Sequence, residues 1–235
     1  MEHTFKTISV AAMAMLIVAF VGCSKEENNN TNGGTEHSTS DDWVDLGLPS
    51  GLLWASCNVG ASAPEDYGDY FSWGESQNKS VYDWSTYAYG TFNQLTKYCN
   101  NAYWGLNGFT DTLTTLVPAD DAATVRLGDG VRTPTKEEWE ELLDNTTVEW
   151  TTLNGVNGRM FTATNGHTLF LPAAGTRYNS VLSRTDSLGL YWSSSLFTDY
   201  AGNAWNFYFT SDTQYMCNEY YRYGGNAVRA VRSAQ

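Results

Sequence analysis

Apolar positions in this chain come as one long unbroken block at the start, then as short runs cut by Gly, Asn, Asp and Ser. The block is residues 8–21 (ISVAAMAMLIVAFV), preceded by Lys6 and ended by Gly22. It is too short to span a bilayer comfortably and no stop-transfer pattern follows, so residues 1–22 read as a cleaved export signal. Residues 24–40 (SKEENNNTNGGTEHSTS), within the segment 23–41, reverse the pattern: they hold almost no apolar side chain and cannot offset the entropy of ordering. That stretch predicts a flexible tether. Patterned sequence begins near Trp43, and residues 42–235 are expected to form one domain.

Within that domain, residues 44–46 (VDL) and 52–55 (LLWA) flank the turn LPSG at 48–51 and predict a pair of strands. Residues 66–103 are dense in Tyr, Trp, Gly and Asp but show neither a period of two nor one of 3.6, which predicts a long structured loop region with short strands. Residues 118–127 (PADDAATVRL) predict a short helix, with Pro118 at its start and Asp120 and Asp121 in its first turn. A second helix follows Thr135, which has capping-box spacing to Glu138; Trp139, Leu142 and Leu143 give it one apolar face through about Asn145.

Three β-prone runs come next, at 148–153, 159–164 and 168–171, set apart by Asn154-Gly155, Asn157-Gly158 and Asn165-Gly166. Asn-Gly is the strongest short hairpin signal, so a meander is expected. Further strands are expected at 190–194, 204–209 and 227–232. Helices followed by antiparallel strands, without internal repeat, predict an α+β domain.

Composition narrows the partners. The formal charge of −13 passes unchanged to the chain left after residues 1–22, because Glu2 and Lys6 leave together. A pI near 4.5 excludes nucleic acid, which needs clustered Lys and Arg, and excludes electrostatic docking on anionic lipid. After the signal the chain contains no isoleucine, so aromatic rings must supply much of the core and many Tyr hydroxyls must end near solvent. About 190 residues remain after the tether, enough for a sizeable core.

Cysteine usage points to an address. Gly22-Cys23 at the end of the signal resembles a bacterial lipoprotein site, in which Cys23 becomes the acylated N-terminus. The acyl chains, palmitate-type, would anchor the protein to outer-membrane lipid at about 0.8 kcal/mol per buried methylene. Ser24-Lys25-Glu26-Glu27 resembles the acidic tag with which bacteroidete-type lipoproteins reach the outer surface. The expected location is the outer membrane, lipid-anchored and facing the exterior. Of the remaining cysteines, Cys57 and Cys99 could form a disulfide with Cys217 unpaired, or all three could be buried thiols. Their spacing fits neither a zinc ribbon nor a CxxC redox pair.

Four blocks in order carry a family likeness: VDLGLPSGLLWA at 44–55, GDYFSWGE at 68–75, RTPTKEEWEEL at 132–142, and LFLPAAG at 169–175 leading into GLYWSSS at 189–195. Together they resemble the Fibrobacter succinogenes major paralogous domain family of exported and lipid-anchored proteins. That family is similar in turn to the C-type-lectin-like fold shared with formylglycine-generating enzymes, a likeness carried by residues 132–139 and by NAVRAVR at 226–232. The resemblance implies two short helices, twisted antiparallel sheets and long loops. Fold alone does not give function.

Enzyme chemistry finds no residues. Formylglycine generation needs a redox-active cysteine pair near the C-terminal end, where only Cys217 stands. His167, the one histidine of the domain, follows Asn165-Gly166 and reads as a surface turn residue. Asp120/Asp121 and Glu137/Glu138 are explained as helix-start charge. The Glu-Pro-Asn and Gln-Pro-Asp motifs of sugar-binding members are absent, and Ala204-Trp205-Asn206-Phe207 departs from Trp-Asn-Asp at its third position. Acidic loops leave a structural Ca²⁺ open, since that ion takes about six to eight oxygens, but no ligand set stands out. Neither catalytic residues nor a metal or cofactor is expected.

The expected binding segment is 190–225, where about one residue in three is aromatic and most others are Ser, Thr, Asn, Asp or Gly. Tyr with Ser, Gly and Asn is the chemistry of binding paratopes. The candidate ligand-binding residues are Phe197, Asp199, Tyr200, Asn203, Tyr208, Asp212, Tyr215, Asn218, Tyr220, Tyr221 and Tyr223. Trp192, Trp205, Phe207 and Phe209 are set aside as core, because a period of two puts the last three on one face and Asn206 and Tyr208 on the other. In some proteins of this fold the C-terminal region is diversified by a retroelement that mutates adenines, and residues 196–223 have that mixture; ordinary loop composition gives the same look. Two readings follow. One is a non-catalytic binding lipoprotein that presents this face to an extracellular glycan or protein. The other is a structural or tip subunit of a surface appendage.

Overall fold

The computed structural model describes residues 42–234. The expected export signal, Cys23 and the tether lie outside these described residues. Two strands open the domain, β1 (Trp43–Asp45) and β2 (Leu52–Asn58), followed by a long irregular stretch holding the miniature hairpin β3 (Gly90–Thr91) and β4 (Gln94–Leu95) and a 3-10 turn at Leu106–Gly108. Helix α1 (Ala122–Leu127), strand β5 (Val131–Arg132) and helix α2 (Lys136–Asp144) come next. Then follow β6 (Thr146–Leu153), β7 (Val156–Ala163), β8 (Thr168–Pro172), β9 (Thr176–Tyr178), β10 (Val181–Ser183), β11 (Gly189–Leu196), β12 (Ala204–Phe209), β13 (Gln214–Cys217) and β14 (Arg229–Ser233). Antiparallel strands dominate and two short helices pack on them, an α+β architecture weighted strongly towards β.

Three sheets carry most of the order. The first runs β1-β2-β14-β5, the second is the meander β6-β7-β8, and the third is β11-β12-β13. The turn at 48–51 closes β1 onto β2 as expected, with Gly51 N–H donating to the Leu48 carbonyl at 2.9 Å and Val44 opposite Trp54. In the meander, Asn154 and Gly155 both take positive φ (49° and 90°), the requirement of a tight two-residue hairpin turn. Asn157-Gly158 is not a turn, contrary to expectation; it lies inside β7, where a Cβ at 158 would collide with the Leu171 carbonyl and the Phe170 ring of β8. Glycine there serves close strand packing.

Helix α2 forms as its sequence dictates. The Thr135 hydroxyl accepts from Glu138 N–H while the Glu138 carboxylate accepts from Thr135 N–H at 2.8 Å, a complete capping box. Arg132 forks onto the same carboxylate at 2.6 and 2.7 Å. Trp139 and Leu142 are buried on the inner face. The Trp139 ring meets Trp54 edge-on at 4.8 Å and stacks on Phe207 at 5.1 Å, so β2, α2 and β12 share one core with Phe161, Leu169, Tyr191 and Phe209.

The expected helix over 118–127 is broken in two. Pro118–Asp120 is a 3-10 turn, and Asp121 sits in extended backbone as the N-cap of α1. Its carboxylate accepts from Ala123 N–H, Thr133 N–H and the Thr133 hydroxyl, the last at 2.6 Å, and these bonds hold the kink open. Burial pushes the Asp121 carboxyl above its ordinary range in spite of them. The last expected strand, 227–232, begins at Arg229; Ala227 makes an isolated bridge to Tyr191 instead.

Cys99 and Cys217 are free and buried, so the Cys57–Cys99 bridge is not formed. Cys99 lies beneath Leu95 and Ala201, and Cys217 packs in β13, which joins the third sheet through Asn206.

Candidate ligand-binding surface

Residues 71–98 have no periodicity, yet they are held firmly, and two buried groups explain how. Arg222 is fully buried, donates to the Tyr98 and Lys97 carbonyls at 2.9 and 3.2 Å, and lies over the Trp73 and Tyr87 rings at 5.4 and 5.3 Å. Backbone bonds from Trp73 N–H to the Arg222 carbonyl and from Phe71 N–H to the Asn226 carbonyl extend the seam. Tyr82, also buried, exchanges two backbone bonds with Asn179 at 2.8 and 2.9 Å and donates its hydroxyl to the Tyr70 carbonyl at 2.7 Å. The loop is therefore fastened both to residues 222–226 and to the β9–β10 turn.

Asp120 secures the loop's far end. Burial alone would raise its carboxyl, but Lys97 at 2.5 Å and the hydroxyls of Tyr98 and Tyr89 outweigh that and hold it below the ordinary range. Those partners occupy the carboxylate in a structural ion pair.

On this frame the aromatic side chains converge. Trp104 is met edge-to-face by Tyr103 and Tyr200, each at 4.5 Å and within 3° of perpendicular (87° and 89°). Trp84 is met by Tyr223 at 4.9 Å, Tyr87 at 5.6 Å and Tyr221 at 5.8 Å. Phe92 lies 6.5 Å from both indoles and joins them. Tyr221 stacks on Tyr223 at 5.5 Å and contacts Tyr200 at 6.3 Å, and Tyr178 reaches Tyr223 at 5.6 Å. The outer members are open to solvent: Tyr103 is 75% exposed, Tyr178 55%, Tyr221 43% and Phe92 41%. These rings form one continuous aromatic wall.

The expected binding residues divide around it. Tyr200, Tyr221 and Tyr223 come together in the wall, although Tyr223 is buried and serves as its backing. Asn203 is also buried, with its amide donating to the Asn218 carbonyl at 2.7 Å, so neither Asn203 nor Tyr223 can meet a ligand directly. Asn218 is half-buried by that bond. Tyr208 and Tyr215 pair across β12 and β13 at 5.0 Å on a separate patch, with Tyr220 half-buried against the second core cluster. Phe197 packs on Trp205 at 5.4 Å, Asp199 is exposed, and Asp212 sits at the β12–β13 turn accepting from the Ser211 hydroxyl.

Two assignments along β12 are corrected. Trp205 is half-buried under the Lys136 ammonium, 4.9 Å from its ring, and is not core; Asn206 is fully buried and donates to the Cys217 carbonyl at 3.1 Å. Both faces of this strand are covered, so its period of two does not separate core from solvent. Residues 84, 92, 103, 104 and 178 were outside the expected segment. The signal for those at 84–104 was the density of Trp and Tyr there; Tyr178 had none.

A cavity lined by Thr115, Asp121, Arg132, Thr133 and Ser194 holds about 130 Å³, well below the roughly 300–1,000 Å³ of small-molecule sites. His167 is exposed and its Nδ1 bonds the Asp45 carbonyl at 2.6 Å, which fixes a turn. Among the described residues no three His, Cys, Asp or Glu side chains converge as a metal site. Compared with known proteins, the chain matches no family model, no curated protein and no solved structure.

Proposed function

We propose that this is a non-catalytic binding lipoprotein, anchored in the outer membrane through acylated Cys23 and displaying a C-type-lectin-like domain of the Fibrobacter succinogenes major paralogous type to the exterior. The observation that supports it most is the aromatic wall: exposed rings braced by half-buried neighbours, with Tyr103 and Tyr200 near-perpendicular to Trp104. Rigid aromatic area with adaptable polar neighbours is the common composition of recognition surfaces. The partner is an extracellular glycan or protein.

Two experiments test the reading. Cys23→Ser should release the protein from the membrane fraction, and replacing Lys25-Glu26-Glu27 with Ala should retain it inside; protection of the wild type from protease on intact cells would refute surface exposure. Tyr200→Ala and Tyr221→Ala should leave the melting temperature nearly unchanged while weakening adhesion of the full chain to its target surface. Large losses of stability in both would show that these rings fill the core instead.

A second reading, a structural or tip subunit of an appendage, is favoured by one feature. Among the described strands β13 pairs only with β12, which leaves an outer edge suited to a partner strand. Co-purification of stoichiometric subunits, with no saturable ligand, would establish it. Diversification of residues 196–223 by a retroelement is tested in the genome, by a near-copy of the encoding DNA beside a reverse-transcriptase gene.

A further inference from the structure

We infer that the Trp84–Phe92–Trp104 part of the wall is a stacking platform for a neutral carbohydrate chain. This rests on the binding reading above and names its ligand class. A pyranose ring offers a face of C–H groups and an edge of hydroxyls. It needs a flat π surface fixed in orientation, with polar groups around the rim and no requirement for opposite charge.

The platform meets each condition. Both indoles are half-buried and braced by rings at steep angles, so each keeps one orientation without cost on binding. Phe92 at 6.5 Å from each makes a sequence of three ring surfaces rather than one, which suits a chain of sugars more than a single unit. The Asn100 amide donates to the Thr198 carbonyl at 2.8 Å, which ties the Trp104 loop to the Tyr200 turn and fixes their spacing.

The rim is polar and neutral to acidic. Asn93, Asn101 and Asp83 stand in the same loops, and Tyr103 and Tyr221 bring exposed rings with hydroxyls. Among the described residues no Arg or Lys lies over the rings of Trp84, Phe92 or Trp104; of the loop's two lysines, Lys79 is engaged by Glu75 at 2.7 Å and Lys97, between Phe92 and Trp104, by Asp120 at 2.5 Å. With a formal charge of −13, the chain repels phosphorylated, sulfated and uronic polymers. Protein hot spots combine Trp and Tyr with Arg, and the platform brings aromatic rings without an arginine. Val181, opposite Tyr178 in the β9–β10 pair, and Leu106, two positions after Trp104, are exposed aliphatics next to its rings in sequence or sheet.

The test is affinity gel electrophoresis of the full chain in neutral polysaccharides (a β-glucan, a mannan, a xylan) and in an acidic one (alginate). At least one neutral polymer should retard the protein and alginate should not. Trp104→Ala and Trp84→Ala should weaken the apparent affinity about thirtyfold, the effect of removing a central anchor. Tyr103→Ala, which truncates a ring 75% exposed and so leaves folding intact, should weaken it about threefold; Val125→Ala on α1 should change nothing. Absence of retardation in every neutral polymer, or retardation in alginate alone, overturns the carbohydrate assignment. If the chain then still adheres to cells in a Trp104-dependent way, the binding reading survives without it. If it does not, both fall.

Discussion

The two halves of this domain solve the same burial problem by different means. In the half built from β2, α2, the meander and β11–β12, rings and aliphatics alternate on periodic elements, and Trp54, Trp139, Phe161 and Leu171 vanish from solvent. In the other half, residues 66–117, 197–203 and 218–225, the chain has almost no regular structure and orders itself through buried polar groups. Arg222 takes two carbonyls there and Tyr82 takes another, and the rings pack largely on one another. Periodicity is a device for hiding apolar surface. Where a protein must keep apolar surface on show, hydrogen-bonded staples hold the backbone and leave the rings free.

The comparison breaks most readily in the periodic half. Trp139→Ala should lower stability by about 3–5 kcal/mol, the range for a core aromatic, measured by denaturant melts. A loss below about 1 kcal/mol would mean that α2 does not seal the core. The wall supplies a sharper contrast between two stacked neighbours. Tyr223→Ala, at 4% exposure, should cost about 3 kcal/mol, whereas Tyr221→Ala, at 43%, should cost about 1 kcal/mol or less. Equal melting temperatures for the two variants would erase the distinction between backing and face.

Arg222→Ala tests the staple. It removes two charged hydrogen bonds and should cost about 2–3 kcal/mol, expressed unevenly. Hydrogen exchange should quicken across residues 73–98 while α2 stays protected; uniform acceleration would show that the halves unfold as one unit. Smallest of all, Glu140→Ala loses only the surface pair with Lys136 at 2.6 Å and should shift stability by about 0.5 kcal/mol or less. A larger effect would put the helix phase in error.

What could be read from the residues follows the same division. The capping box at Thr135 and Glu138, the apolar face of Trp139 and Leu142, the Asn154-Gly155 turn and β12 were legible because each depends on neighbours within a few positions. Asn157-Gly158 misled because the same dipeptide that favours a turn also permits close strand packing, and only Phe170 and Leu171 across the sheet decide between them. The kink at Asp121 depends on Thr133, twelve positions away. The wall lay furthest from view. Its rings come from residues 84–104, 178 and 200–223, joined by contacts that no local pattern announces, so composition marked one half of it and missed the other.

Strand β14 closes the first sheet from within. It runs between β2 and β5 in the sheet order, and Arg229 at its start is fully buried, donating to the carbonyls of Ala55, Ser56 and Phe170 and to the Asn58 side chain. Burial pushes that guanidinium down to about 10, still charged at neutral pH. Without residues 229–233 the first sheet lacks one of its two inner strands, and three carbonyls and the Asn58 side chain lose the cation that satisfies them.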